Sequence, residues 1–438
     1  MPLPVITSRF LCRHTGKGSF QGPAFSVEDV DFEFLVLPWG ETHIRLSCPA
    51  AIPGLFNNKG AIAQYGAFSG ITTNGFKVNV ARAFPDNVFQ DNSGSTAKTD
   101  ILLTGDCSTV IRQKENLKSA LLRFHLVNLP IIGTDRVETQ SGSRLEIHLT
   151  LDQFDVRLCP VPDYEAVMAT LEHTREMGVT CHVIVSDVRP DQIVDAVNVV
   201  IKLCLILSLA RGTKVTYPCY DVIFPDNKLL CSHYKACRKS TFHHWALIDY
   251  AKPLETKTFL QNAYPCIDQA IETWALDEVV ELYADSKIEL ERINTRGIKA
   301  VICMEVLRAK FLKDRSVGEF IIEKELFKRE RTSLEQELKQ LLSQKFPQAK
   351  PDQLNEMASH AQGLNRAPFS RSIEEMCSRI KLPTSQSDIA RFVKIRNKLV
   401  HSGTYPDEQT ATSDYTFLDQ FIGRFLLATL GYIRPKSP

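Results

Sequence analysis

Hydrophobic and polar positions follow a period of two through much of the first third of the chain. His43, Arg45 and Ser47 alternate with Ile44, Leu46 and Cys48, and Leu145, Ile147, Leu149 and Leu151 alternate with Glu146, His148, Thr150 and Asp152. Successive side chains of a strand point to opposite faces, so each run predicts a strand with one face on a core. Ile71-Thr72-Thr73 and Phe76-Lys77-Val78 flank Asn74-Gly75, a dipeptide that tolerates positive φ and predicts a tight hairpin. Gly, Asn, Ser and Pro punctuate these runs, with the longest loop around Pro85 to Thr99. Residues 1–160 therefore predict a β-rich sheet or sandwich domain, whose strand order the pattern does not carry.

The texture then changes. Tyr164 to Met177 has helical spacing and meets Gly178, a suitable left-handed cap; Val179 to Val185 reads as a strand. Pro190 to Arg211 predicts a helix with proline in its first turn and Gly212 at its end. Its middle, Val199 to Leu207, is apolar on nearly every side and predicts burial between layers. Residues 161–252 thus form an α/β segment that completes the N-terminal half. From residue 253 to 438 the signals are helical: Ile267–Tyr283, Gly297–Lys313, Glu319–Gln344, Gln353–Leu364, Phe369–Ile380, Asp388–His401 and Tyr415–Gly431. Pro265, Pro347, Pro351, Pro368, Pro383 and Pro406 fall between them, as proline's missing donor requires. The expected fold class is α+β and multidomain, a β-rich domain with an α/β segment followed by an all-α bundle.

Composition narrows the function classes. With 44% hydrophobic and 24% charged residues the 438-residue chain is neither disordered nor fibrous. Lys plus Arg (52) nearly cancel Asp plus Glu (51), so a nucleic-acid site must be a local patch. The N-terminus lacks the apolar core of a signal peptide. The window Val199–Ala210 is interrupted by Lys202 and is short for a span of about 30 Å. Twelve cysteines stand singly with no CxxC pair, which suits a reducing compartment. A cytoplasmic protein with no membrane partner is expected. Cys219, Cys231, His233 and Cys237 match no standard zinc spacing, and His243-His244 beside Trp245 reads as a structural pair. P-loop, dinucleotide-binding and nucleophile-elbow motifs do not occur, so no metal and no cofactor is expected. The stretch 308–345 mixes basic and acidic residues in the manner of a solvated helix that could border an RNA groove.

One segment carries chemistry. In Ser387 to Gly403, Ser387 can cap the first turn, Asp388 suits the positive end of the macrodipole, and Gly403 can end the helix. Ile389, Phe392, Val393, Leu399 and Val400 form the stripe to be buried, and Arg396 projects from it. Asn397 and His401 are four apart on one face. Arg396 and His401 are five apart, so the helix end or the long arginine must bring them together. Histidine can move a proton near neutrality, arginine can hold a phosphate through paired hydrogen bonds, and asparagine can orient either. The bland reading is a salt-bridged arginine and a histidine at the helix's negative end, and the spacing alone favours it.

Phe392-Val393-Lys394-Ile395-Arg396-Asn397-Lys398-Leu399-Val400-His401-Ser402-Gly403 resembles the Arg-x4–6-His signature of HEPN domains (higher eukaryotes and prokaryotes nucleotide-binding). The last helix, Tyr415 to Tyr432, is similar to the closing helix of the ApeA-like HEPN group, in which a β-rich domain precedes the helical one. The resemblance covers 385–433 and extends in outline over 255–433. It implies a metal-independent endoribonuclease that leaves 2′,3′-cyclic phosphates, acts as a homodimer with a composite site, and belongs to prokaryotic anti-phage defence or abortive infection. Arg396 is then expected to hold phosphate, His401 to transfer protons and Asn397 to assist, with Lys394 and Lys398 as weaker RNA contacts. Glu305 is the candidate for a supporting acid, against the simpler reading of an exposed helix glutamate. RNA is the expected partner, and the N-terminal half is expected to sense a phage- or host-derived trigger. The alternative is a non-catalytic HEPN module that dimerises or binds a nucleotide or RNA.

Overall fold

In the computed structural model, which describes residues 11–23, 25–48, 65–91, 98–112, 118–139, 142–238, 246–313, 324–359, 368–407 and 409–433, the chain divides into two units, Met1–Pro265 and Cys266–Pro438. The architecture is α+β: a sheet domain in the N-terminal half, then a helical region.

The first unit begins with β1 (Cys12–Gln21), β2 (Ser26–Val36), β3 (Thr42–Cys48), β4 (Gly66–Thr72), β5 (Lys77–Asp91) and β6 (Lys98–Gly105). They pair in the order β4-β1-β2-β3-β6-β5, and β5 returns to β4, closing a barrel. In β3 the alternation holds: Ile44, Leu46 and Cys48 are buried and His43, Arg45 and Ser47 point away. Phe20, Phe34, Phe68, Val78, Ile101 and Leu103 join them in the barrel core. Gly75 turns the β4–β5 hairpin at φ 81 and donates its N–H to the Thr72 carbonyl at 2.8 Å. Gly16 lets β1 lie close on β4, since a Cβ there would sit 2.1 Å from the Ile71 carbonyl oxygen.

The sheet continues through β7 (Cys107–Ile111), β8 (Ala120–Val127), β9 (Asp135–Thr139), β10 (Gly142–Leu151), β11 (Phe154–Pro160), β12 (Val179–Val188), β13 (Cys219–Ile223) and β14 (Leu229–Lys235). Its order is β5-β7-β14-β13-β8-β12-β11-β10-β9. Among the described residues this is one antiparallel sheet, partly closed and partly open, rather than a sandwich of two. The 15-residue β5 makes that possible: its first half pairs with β4 and β7, its second with β6.

Three helices accompany the sheet. α1 (Tyr164–Thr174) ends on Arg175 at φ 57 rather than on Gly178, whose missing side chain instead makes room for Leu171. α2 (Ile193–Arg211) follows a 3-10 turn at Pro190 and is capped by Gly212 at φ 61. α2 is buried over most of the expected middle, with Ile201 the exposed exception between Val199 and Leu207. It buries Val199, Val200, Leu203 and Leu207 but leaves Val194 and Ile201 69% and 45% exposed. With its 3-10 turn it runs 22 residues, long and apolar enough by those measures alone to cross a membrane, and about 56% of that window is buried here. α3 (Pro253–Ala263) joins this unit through Lys257, whose Nζ lies 2.9 Å from Asp135 Oδ2.

One face of the open sheet is apolar, with Leu122, Phe124, Leu149, Val156 and Val183 buried. The opposite face holds two buried carboxylates. Glu146 pairs with Arg144 and lies 3.1 Å from His148 Nε2. Asp221 lies 3.0 Å from His125 Nε2 and accepts bonds from Arg123 Nη2 at 2.8 Å and Ser232 Oγ at 2.7 Å. Burial raises the Asp221 pKa, but the bonds from His125, Arg123 and Ser232 outweigh it and hold the group well below the usual carboxylate range.

His182 sits opposite His125 on β8 and Cys159 on β11. Burial, then the neighbouring His125 and Arg123, lower its pKa to about 3. An unfolded histidine titrates near about 6.5, so between those values the unfolded chain binds the extra proton. Stability of this unit therefore falls as pH drops below roughly 6.5, by about 3 kcal/mol near pH 4 from His182. His182→Gln is expected to flatten that part of the profile, measured as the urea midpoint against pH; an unchanged slope would refute it.

The second unit contains α4 (Ile267–Trp274), α5 (Leu276–Ser286), α6 (Ile293–Lys313), α7 (Lys324–Lys345), α8 (Pro351–Ser359), α9 (Phe369–Arg379), α10 (Gln386–Ser402) and α11 (Ala411–Thr429). The single helix expected over 267–283 is two, divided at Ala275 with φ 50. Residues 319–323 and 360–364 of two other expected helices lie outside the described residues. In the core Trp274 stacks on Phe311 and meets Phe425 edge to face, and Phe392 lies against Phe421. α7 packs along α8 and buries no residue among those described. Lys287, which follows α5, is 4% exposed and pairs with Asp419 of α11.

Candidate functional site

α10 is started by Ser385, not Ser387. Ser385 Oγ accepts from the Asp388 N–H at 3.1 Å, and the Asp388 carboxylate accepts from the Ser385 N–H at 3.3 Å. This reciprocal box needs a carboxylate three residues after the cap, which only Ser385 has. Ser387 instead lies beside it, with hydroxyl oxygens 2.8 Å apart. Gly403 at φ 68 ends the helix, donating its N–H to the Leu399 carbonyl at 2.9 Å.

The buried stripe is Ile389, Phe392, Ile395 and Leu399. Val393 is half-buried and Val400 is 51% exposed, so the stripe keeps Ile389, Phe392 and Leu399 of the expected one and takes Ile395 in place of Val393 and Val400. A stripe at i, i+3, i+6 and i+10 rotates Val400 outward and sets Arg396 at its edge.

Arg396 is gathered by three helices. Its Nε and Nη2 donate to Glu305 Oε1 at 2.7 and 2.5 Å, and its Nη1 donates to Asn397 Oδ1 at 2.9 Å. Its guanidinium lies 4.7 Å from the centroid of Phe369 on α9, and that ring stacks on Phe392. Arg308 of α6 lies 5.1 Å from the same ring, with its Nη1 4.0 Å from Glu305 Oε2. The side chains of Arg396 and Glu305 are 22% and 29% exposed. Charge-assisted bonds in a partly desolvated setting fix the guanidinium and leave one edge toward Asn397.

The structure brings Glu305, Arg396 and Asn397 together. It does not bring His401 to Arg396: α10 stays helical through Ser402, and the arginine reaches to α6 instead. His401 is exposed and makes no hydrogen bond or ion pair to any described residue. Lys394, Asn397, Lys398 and His401 form the solvent face of α10, spaced at one-turn intervals. Phe369 and Arg308 belong to this site as well. Arg308 was detectable as the i+3 neighbour of Glu305, whereas Phe369 has no local signal because it arrives from another helix.

Cys219, Cys231, His233 and Cys237 do not form one four-ligand set. Cys231 Sγ lies 3.4 Å from His233 Nε2, and Cys237 Sγ lies 3.5 Å from Thr216 Oγ1. Cys219 instead joins His125 and Asp221, with one ligand atom of each within 4.8 Å of the others. His243, His244 and Trp245 lie outside the described residues.

Over residues 114–244, whose described part includes β8 to β14 with α1 and α2, the chain is similar to the YopA central domain family. No curated protein and no solved structure matches the chain.

Proposed function

We propose that this protein is a metal-independent endoribonuclease of HEPN type, working in the cytoplasm of a prokaryote as an anti-phage effector whose sheet unit answers to a phage- or host-derived trigger. The observation that carries the proposal is the set on α10: Arg396 braced by Glu305 and Asn397, and His401 exposed beyond it beside Lys394 and Lys398. On this reading the lysines and Arg396 draw in the RNA backbone. Arg396 offsets charge on the phosphate while a histidine removes the proton of the 2′-hydroxyl. The 2′-oxygen forms a new bond to phosphorus, the bond to the 5′-oxygen breaks, and that oxygen takes a proton, leaving a 2′,3′-cyclic phosphate and a 5′-hydroxyl. The histidine of a second copy would supply that proton, which is why a homodimer belongs to the proposal. The test is the purified full chain with a mixed RNA pool in a chelator, alone and with lysate from infected cells, with product ends mapped. Cyclic ends support the reading, and intact RNA under both conditions overturns it.

One observation favours a second reading. Two of the guanidinium nitrogens of Arg396 already bond Glu305, and its face lies on Phe369, which is what a purely structural ion pair in an interaction module would show. Glu305→Gln separates the two. A structural tether predicts a loss of about 1–3 kcal/mol in urea unfolding and nothing else; a positioning role predicts slowed cleavage as well.

A further inference from the structure

β8 and β13 are antiparallel, with Tyr220 opposite Phe124 and Asp221 opposite Arg123. The same register sets Cys219 across from His125, on the face that also carries Asp221. His125 Nε2 lies 3.0 Å from Asp221 Oδ2, Cys219 Sγ lies 4.0 Å from Asp221 Oδ1, and the three ligand atoms all fall within 4.8 Å of one another. A tetrahedral ion with bonds of about 2.0–2.3 Å holds its ligand atoms roughly 3.3–3.8 Å apart, so small side-chain adjustments close the set around one ion.

The surroundings suit a cation. Ser232 Oγ bonds one carboxylate oxygen at 2.7 Å and Arg123 Nη2 the other at 2.8 Å, the outer contacts that orient a ligating carboxylate. Asp221 and Cys219 are buried, whereas the His125 side chain is 22% exposed and marks the way in for an ion and a water. The Glu146 cluster on the same sheet face has two arginines at its carboxylate, Arg144 and Arg157, where Asp221 has Arg123. Carboxylate and thiolate bring two negative charges to a divalent ion, with the Arg123 guanidinium outside them, and this mixture of oxygen, sulfur and nitrogen donors belongs to zinc-class chemistry.

We propose that His125, Cys219 and Asp221 bind one divalent transition-metal ion of the zinc class, with water completing a tetrahedron. The ion bonds the lone pair of His125 Nε2, whose ring then carries its proton on Nδ1, and the Cys219 thiol proton leaves to solvent. The site lies in the sheet unit and stands whether or not the helical unit cleaves RNA.

The experiment uses the full chain, stripped with a chelator, desalted, and titrated with Co2+ and then Zn2+. The expected result is about one ion retained per chain after gel filtration, with an absorption band from thiolate-to-cobalt charge transfer that Zn2+ abolishes. Cys219→Ser should remove the band, and His125→Gln should weaken binding about tenfold or more, each with an unchanged circular dichroism spectrum. Because Asp221 anchors several neighbours, it is left intact; if Cys219→Ser fails to fold, the His125→Gln titration decides alone. No retained ion, a band that survives Cys219→Ser, or unweakened binding in His125→Gln would overturn the proposal.

Discussion

Replacing His401 with alanine is expected to reduce RNA cleavage by about 10²–10⁴-fold, the usual contribution of a positioned acid–base group, while leaving the fold intact. The separation of those two effects rests on geometry. His401 is exposed in the last turn of α10 and bonds no other described residue, so its truncation should move stability by no more than about 0.5 kcal/mol. Arg396 is the contrasting case. Its loss would free Glu305 from two bonds and uncover Phe369, so Arg396→Ala should lose activity and stability together. Cleavage rates on a defined RNA, paired with urea midpoints for both variants, check the pattern. Wild-type cleavage by His401→Ala would sink the assignment of His401 to proton transfer, and with it the HEPN-type site, whatever Arg396→Ala does.

That contrast also shows which parts of the site the sequence could express. All the candidate residues except Glu305 lie on one helix, and a helix is a local object: its glycine stop at Gly403 and most of its apolar stripe are visible in the residues that form it. What binds Arg396 is not local. Glu305 lies 91 positions earlier, and Phe369 comes from a third helix, so their meeting depends on how α6, α9 and α10 pack. The Ser385–Asp388 box lay within sight, but Ser387 stood nearer the apolar run and drew the cap assignment away from it. In the sheet the same division holds. The strand at 42–48 is legible because one face is buried and the other wet, and the 74–75 turn because φ > 0 is needed at Gly75. Barrel closure also needs the β1–β4 and β3–β6 pairings and the close approach at Gly16, and no periodicity encodes those. The two carboxylate clusters are equally hidden: Arg123, His125, Cys219 and Asp221 look like ordinary outward-facing positions until their strands are set side by side.

The largest stability effect is expected from Asp419→Ala. Lys287 is 4% exposed, its ammonium lies 4.7 Å from the Tyr283 ring centroid, and Asp419 is its carboxylate partner. Burial lowers the Lys287 pKa, and Asp419 opposes that shift. Removing the carboxylate leaves a buried ammonium without its counter-ion, which costs about 3–5 kcal/mol. The sign of the pH dependence distinguishes this from simple loss of packing. Without Asp419 the folded pKa of Lys287 falls further, while an unfolded lysine stays near about 10.4. Between those values the unfolded chain binds the extra proton, so the variant's deficit should shrink as pH rises from neutral toward about 10. A packing cavity would show no such recovery. The double substitution Lys287→Met/Asp419→Leu should regain most of the stability at neutral pH, since an apolar pair needs no counter-ion. Urea unfolding of the three proteins across that pH range makes the comparison. A deficit that stays constant with pH would show that Lys287 leaves its buried position when Asp419 is lost, and that the pair does not hold α11 to the end of α5.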